Sequence, residues 1–138
     1  MTLSPADMDR LLDQHFAYEA GDDIDGVVAT LAPDVEHDVV GWPFGPSHGP
    51  DQARAFYEAT FADLANGKVR SLRRLYGDKF MVDDSVWSGT AVGTPFGIEG
   101  KGRPLEFRLL HVLEFTDSGA IRRENVWIDL AAIQQQLA

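Results

Sequence analysis

The sequence contains no cysteine among its 138 residues. That absence excludes a disulfide framework and any thiolate metal site, and it suits a reducing compartment. Basic residues are scarce: 12 Lys and Arg stand against 22 Asp and Glu, for a formal net charge of -10. Such a charge repels phosphate backbones and anionic lipid surfaces, and basic residues cluster nowhere beyond Arg70, Arg73 and Arg74. Neither nucleic-acid nor membrane binding is therefore expected. No apolar run reaches the length of a membrane span, and the start MTLSPADMDR lacks the basic and apolar segments of a signal peptide. A soluble cytoplasmic protein is the expectation. There is no internal repeat and no low-complexity tract.

What is present is ordinary globular composition, 44% hydrophobic and 25% charged, spread along a chain of single-domain length. One domain over residues 1–138 is expected. Ser4, Pro5 and Asp7 read as a helix start, followed by Met8, Leu11, Leu12, Phe16 and Ala20 at helical spacing. His15 falls on the same stripe, and Gly21 ends it. A short second helix is predicted over Asp23 to Leu31, stopped by Pro33, and a strand over Asp34 to Val40 that puts His37 on the face of Val35. His37 and Asp38 then point to opposite faces unless a bulge intervenes.

Residues 41–50, GWPFGPSHGP, are too rich in Gly and Pro for regular structure, yet carry Trp42 and Phe44, which makes this loop a candidate pocket lid. A third helix opens at Pro50 and Asp51, with Ala53, Phe56, Tyr57, Thr60, Phe61 and Leu64 on its stripe. Strands are predicted at about 69–76, 79–83, 86–93, 105–115 and 121–129, and a closing helix over 130–137. Helices first and strands later imply an α+β domain with a mostly antiparallel sheet.

The two last strands carry the candidate site. In LEFRLLHVLEF, His111 shares an otherwise apolar face with Leu105, Phe107, Leu109, Leu113 and Phe115. In IRRENVWID, Arg123, Asn125, Trp127 and Asp129 share one face, and Val126 and Ile128 the other. If the polar set and His111 line one concave surface, with His37 arriving from the first strand, the result is an apolar pocket with a few ionisable groups. The opposite face, with Leu110, Val112, Val126 and Ile128, predicts a homodimer interface.

The order of helices, the phrases PDVEHD and HGPDQARAFYEATF, and the ending FRLLHVLEFTDSGAIRRENVWIDLAAIQQQL resemble a SnoaL-like polyketide cyclase over nearly the whole chain. That family belongs to the superfamily of nuclear transport factor 2, ketosteroid isomerase and limonene epoxide hydrolase. The resemblance implies a cystatin-like cone: three N-terminal helices packed on a strongly curved sheet, with a short C-terminal helix. It also implies His111 as the pocket histidine, Asp129 as the catalytic aspartate, and intramolecular aldol closure without metal or cofactor.

The ketosteroid isomerase pattern fits less well. His37 stands at its base position, His111 replaces its oxyanion-holding aspartate, and Gln14 stands at its helix-one tyrosine; Tyr57 does match its pocket tyrosine. The Arg-x-Asp pair of limonene epoxide hydrolases is absent, since Leu109 and Leu110 follow Arg108.

The expected site therefore has Asp129, His111 and His37 as catalytic residues, and Asn125, Trp127, Tyr57, Trp42, Phe44 and His15 as substrate-binding residues. Each has a plainer reading. Asp129 directly before LAAIQQQL is also what a helix N-cap looks like, and both roles can hold at once. His111 can equally be a hydrogen-bonded core histidine. Four scattered histidines with no two at ligand spacing give no expectation of a metal site. The expected activity is proton transfer next to a carbonyl of an apolar small molecule, by a cofactor-free cyclase or isomerase. The alternative is a binding or accessory domain with the same pocket and no turnover.

Overall fold

The computed structural model describes residues 2–41 and 45–138. The expected lid residues Trp42 and Phe44 lie outside the described residues. Helix α1 (Pro5–Ala20) begins with a reciprocal cap: the Ser4 hydroxyl accepts from the Asp7 amide, and the Asp7 carboxylate accepts from the Ser4 amide. Its stripe buries Met8, Leu12, His15 and Phe16. Helix α2 (Ile24–Ala29) is capped by Asp23, whose carboxylate accepts from the Gly26 amide at 2.9 Å. It ends at Thr30, and Pro33 lies inside β1 (Leu31–Val40) rather than stopping the helix. Proline has no amide hydrogen for a sheet ladder, and Pro33 falls where the register of β1 against its neighbour breaks, between Leu31 and Glu36.

A two-residue strand β2 (Ser47–His48) leads into α3 (Gly49–Asp63). Then follow β3 (Leu64–Gly77), β4 (Phe80–Ala91), β5 (Arg103–Phe115), β6 (Ile121–Ile128) and the closing helix α4 (Leu130–Leu137). The sheet order is β2-β1-β6-β5-β4-β3, antiparallel except for the parallel pair β1 and β6. The fold is α+β, a curved sheet with helices on its inner side, as the sequence predicts.

The two strands predicted at 79–83 and 86–93 are one. Asp84 and Ser85, between the two predicted strands, sit mid-strand with Asp83 because each side chain finds a partner: Asp83 Oδ2 accepts from Arg74 and Ser71, Asp84 accepts from Arg108, and Ser85 Oγ lies 3.4 Å from His111 Nδ1.

The face assignment of β6 is reversed. Pairs directly opposite in an antiparallel ladder share a face, and the register joins Leu109 to Ile128, His111 to Val126 and Leu113 to Glu124. Glu124, Val126 and Ile128 therefore point inward with His111, while Asn125 and Trp127 point outward. The polar set is expected to face the pocket; the apolar Val126 and Ile128 take the inner face instead, and Glu124 shares it because His15 and His37 meet its carboxylate. Val126 and Ile128 thus leave the expected outer apolar face, which instead aligns Val40, Trp127 and Leu110 across three strands.

Two apolar clusters fill the interior. Met8, Leu12, Phe16 and Val27 from the first helices meet Met81, Leu113 and Phe115 of the sheet. Leu105, Phe107 and Leu109 of β5 meet Ile133 and Leu137 of α4 at the other end.

Candidate functional site

Between the helices and the inner face of the sheet lies a partly open cavity of about 120 Å³. Its walls are largely aromatic. Trp87 stacks on Phe107 with ring centres 5.3 Å apart, and Phe96 meets Phe107 edge-on at 6.0 Å. The indole of Trp87 lies over Gly89, where a Cβ would come within 2.5 Å of it, so a residue with no side chain makes this wall possible. Phe96 holds a left-handed backbone (φ 55°), a strained conformation for a bulky residue that turns its ring into the same wall.

His111 reaches the cavity from β5, with its ring 5.0 Å from Phe16. Its Nδ1 lies 3.4 Å from Asp83 Oδ1 and 3.4 Å from Ser85 Oγ, both on the adjacent strand β4. Asp83 is fully buried. Burial alone would raise its pKa, but the His111 imidazole, the Ser71 hydroxyl and the Arg74 guanidinium hold the carboxyl well below its ordinary value. Arg74 also binds Asp9 at 2.9 Å and Asp13 at 2.7 Å, tying this carboxylate to α1. Nδ1 is thus the ring nitrogen of His111 that faces Asp83 and Ser85.

A second set of ionisable groups lies at the end of the cavity formed by α1, α3 and β6. His37 Nε2 is 3.3 Å from Glu124 Oε1, and the other oxygen of Glu124 is 3.1 Å from His15 Nε2. His37 packs between Phe56 and Tyr57, and its buried Nδ1 has no hydrogen-bond partner. His15 is itself buried, which would lower its pKa, yet the carboxylates of Glu124 and Glu19 overcome this and raise it to about 10. Glu124, only 2% exposed, is held well below its ordinary value by His15 and His37 in spite of burial. The Tyr57 hydroxyl is 3.4 Å from His15 Nε2; burial first, and then the Glu124 and Glu19 charges, push its pKa well above 10, so it stays a neutral donor.

The structure thus brings His37, Tyr57 and His111 to one cavity, with His15 directly behind. It does not bring Asp129 there. Asp129 is exposed, accepts from the Ala132 amide at 3.1 Å, and starts α4 as its N-cap. Asn125 is half-buried and Trp127 is 44% exposed, both on the outward side of β6. Sequence reasoning missed Glu124 and Asp83. Only the pairing of Leu113 with Glu124 and of His111 with Asp83 marks them as inward groups, and pairing is a property of the folded sheet.

Comparison with solved structures finds the same fold at low sequence identity. TsrD from Streptomyces laurentii superposes with a TM-score of 0.84 at 20% identity, covering 99% of this chain and 98% of that one. A protein with a ketosteroid isomerase-like fold from Catenulispora acidiphila DSM 44928, in complex with trimethylamine, gives 0.77 at 16% identity, with 92% and 91% covered. A limonene epoxide hydrolase-like epoxide hydrolase from M. tuberculosis gives 0.75 at 15%, with 96% and 90% covered. At these identities the likeness establishes the fold alone. Comparison of the sequence with curated proteins found no match. The model of the SnoaL-like polyketide cyclase family matches residues 7–137, and with nearly the whole chain matched, the protein belongs to that family.

Proposed function

We propose that the protein is an enzyme that moves a proton at a carbon next to a carbonyl of an apolar substrate, as a cyclase or isomerase, using its own side chains. The observation that carries this reading is a pairing made twice: His111 with Asp83 and His37 with Glu124, each an imidazole at an aromatic cavity beside a buried carboxylate. In such a pair the carboxylate fixes the tautomer and stabilises the imidazolium formed when the ring takes a proton.

His111 Nε2 is the general base. It removes the proton next to the carbonyl, and the electron pair moves onto the carbonyl oxygen as an enolate. The neutral Tyr57 hydroxyl is the donor for that developing charge. In ring closure the enolate carbon attacks a second carbonyl of the same molecule, and the imidazolium returns its proton to the new alkoxide. In isomerisation the proton returns to a different carbon. The acid/base role that the resemblance implies for Asp129 is reassigned to His111, because a solvent-exposed helix cap has no access to a substrate in the cavity.

The aromatic lining of the cavity and the trimethylamine held by a protein of similar fold support occupancy by a small organic molecule. We also propose a homodimer, formed through the outer sheet face around Leu110 and Trp127.

The test is deuterium wash-in. A panel of aromatic 1,3-diketones is incubated with protein in heavy water, and exchange next to the carbonyl is followed by NMR. Wild type accelerates exchange of at least one compound, and His111→Gln loses that acceleration. A compound that binds in the cavity with no exchange at all supports the binding-domain alternative.

A further inference from the structure

Among the described residues, the proton transfer assigned to His111 leaves one group of ligating atoms unused. His15 Nε2 lies 3.0 Å from Glu19 Oε1 and 3.1 Å from Glu124 Oε2, and the three atoms are within 4.8 Å of one another. Glu19 follows His15 by four residues, so α1 presents both on one face, and β6 brings Glu124 to them.

The protonation of His15 is set from behind. Its Nδ1 is 2.7 Å from Thr30 Oγ1, whose own hydrogen is given to the Val27 carbonyl at 2.6 Å. Thr30 therefore accepts, Nδ1 carries a proton, and the lone pair of the neutral ring is on Nε2, between the carboxylates. An imidazole with its far N–H anchored is the form in which histidine binds metals.

Two carboxylate oxygens meet at His15 Nε2, with the Tyr57 hydroxyl 3.4 Å from the same nitrogen, and a cation among them would be met by all of these oxygens and by the nitrogen lone pair. Without an ion, the hydrogens available to the two carboxylates are one on Nε2 and the Tyr57 hydroxyl, and one buried oxygen still goes unmet. Glu124 Oε2 is buried and left without a hydrogen-bond partner although His15 Nε2 is 3.1 Å away. An ion in contact with all three atoms satisfies each of them. The spacing also suits one: in six-coordinate geometry with bonds of about 2.1 Å, adjacent ligands stand about 3.0 Å apart. The other oxygen of Glu124 rests against His37 Nε2, which holds the carboxylate in place.

We propose that His15 Nε2, one Glu19 oxygen and one Glu124 oxygen form a binding site for a single divalent first-row transition-metal ion of the manganese, iron or zinc kind. One imidazole with two carboxylates favours this group over magnesium or calcium, which take oxygen alone, and over copper(I), which takes sulfur. Glu19 and Glu124 line the cavity and His15 lies behind them, so the coordination positions left open face the cavity. Binding displaces the Nε2 proton. The site goes beyond the proton transfer at His111, which needs no ion, and the two stand or fall separately.

The experiment is calorimetric titration of chelator-treated protein with manganese(II) and with zinc(II), in two buffers of different ionisation enthalpy. One ion binds per chain with release of a proton, Glu19→Gln weakens binding at least about tenfold, as loss of a ligand should, and His48→Gln on the surface leaves it unchanged. Manganese also broadens the ring NMR signals of His15 in the wild-type protein and leaves those of His48 sharp, a readout that does not depend on a variant folding. Absence of binding by either metal at millimolar concentration, or broadening at His48 with His15 unaffected, overturns the proposal.

Discussion

His111 Nδ1 lies 3.4 Å from the Oδ1 of Asp83, a fully buried carboxylate directly across the β4–β5 ladder. In the proposed mechanism this carboxylate favours the Nδ1–H tautomer of His111, with Nε2 as the base. Replacing Asp83 by Asn keeps the size and removes the anion, so the Nδ1–H tautomer loses its preference. The expected outcome for Asp83→Asn is a folded protein whose turnover falls about 10²- to 10⁴-fold, the usual range for a positioned proton-transfer group. Nitrogen-15 NMR of the imidazole reports the tautomer directly.

The same carboxylate is also structural. Arg74 joins it at 2.8 Å to Asp9 and Asp13 of α1, and Arg74→Met leaves a buried anion with Ser71 and His111 alone. Breaking one side of a buried pair costs about 3 kcal/mol, read as a lower midpoint in urea unfolding. A variant as stable as wild type would show that Arg74 acts as a surface charge only.

Stability should follow pH through His15 and Glu124. His15 is raised from an ordinary 6.5 to about 10, so its contribution is complete below pH 6.5 and is lost as pH climbs through 10. Glu124 is held well below its ordinary 4.5, so its contribution is complete above pH 4.5 and is lost only as pH falls through its lowered value. Chelator-treated protein is therefore expected to keep both contributions between about pH 4.5 and 6.5. Urea midpoints measured at pH 6 and pH 9.5 should fall for wild type and stay nearly level for His15→Gln.

The outer sheet face gives a separate expectation. Trp127, at 44% exposure, sits between Val40 and Leu110 in register. Sedimentation should show a dimer at micromolar concentration, and Trp127→Glu, which places a charge in the middle of that patch, should give a monomer with an unchanged circular dichroism spectrum.

Much of this architecture is legible in the sequence, because helices and turns are specified locally. Ser4 and Asp7 cap α1, Asp129 caps α4, and the apolar alternation of β5 puts His111 inside whatever the rest of the chain does. The site is less legible because its decisive groups break the local pattern. Glu124 is a charge on an inner face, tolerated only because His15 and His37 come from 87 or more residues away to meet it. Asp83 is an ordinary charge within a predicted strand until Arg74, Ser71 and His111 are placed around it. A buried carboxylate is unfavourable alone and acceptable when paired, and the pairing exists only in three dimensions. The family resemblance points to Asp129 for the same reason that a helix cap does, a short acidic side chain just before a helix, and it cannot separate the two roles.

The central claim is that the working base lies in the cavity at His111 and that Asp129 is a cap. It is tested most directly by measuring turnover of one accepted substrate, together with thermal melting, for His111→Gln and Asp129→Asn side by side. The account predicts that His111→Gln loses about 10²- to 10⁴-fold in rate. Asp129→Asn, which retains an oxygen for the Ala132 amide, keeps its rate and its stability to within about 1 kcal/mol. An Asp129→Asn protein that melts normally and has lost its activity, beside a His111→Gln protein that turns over as wild type does, would contradict it.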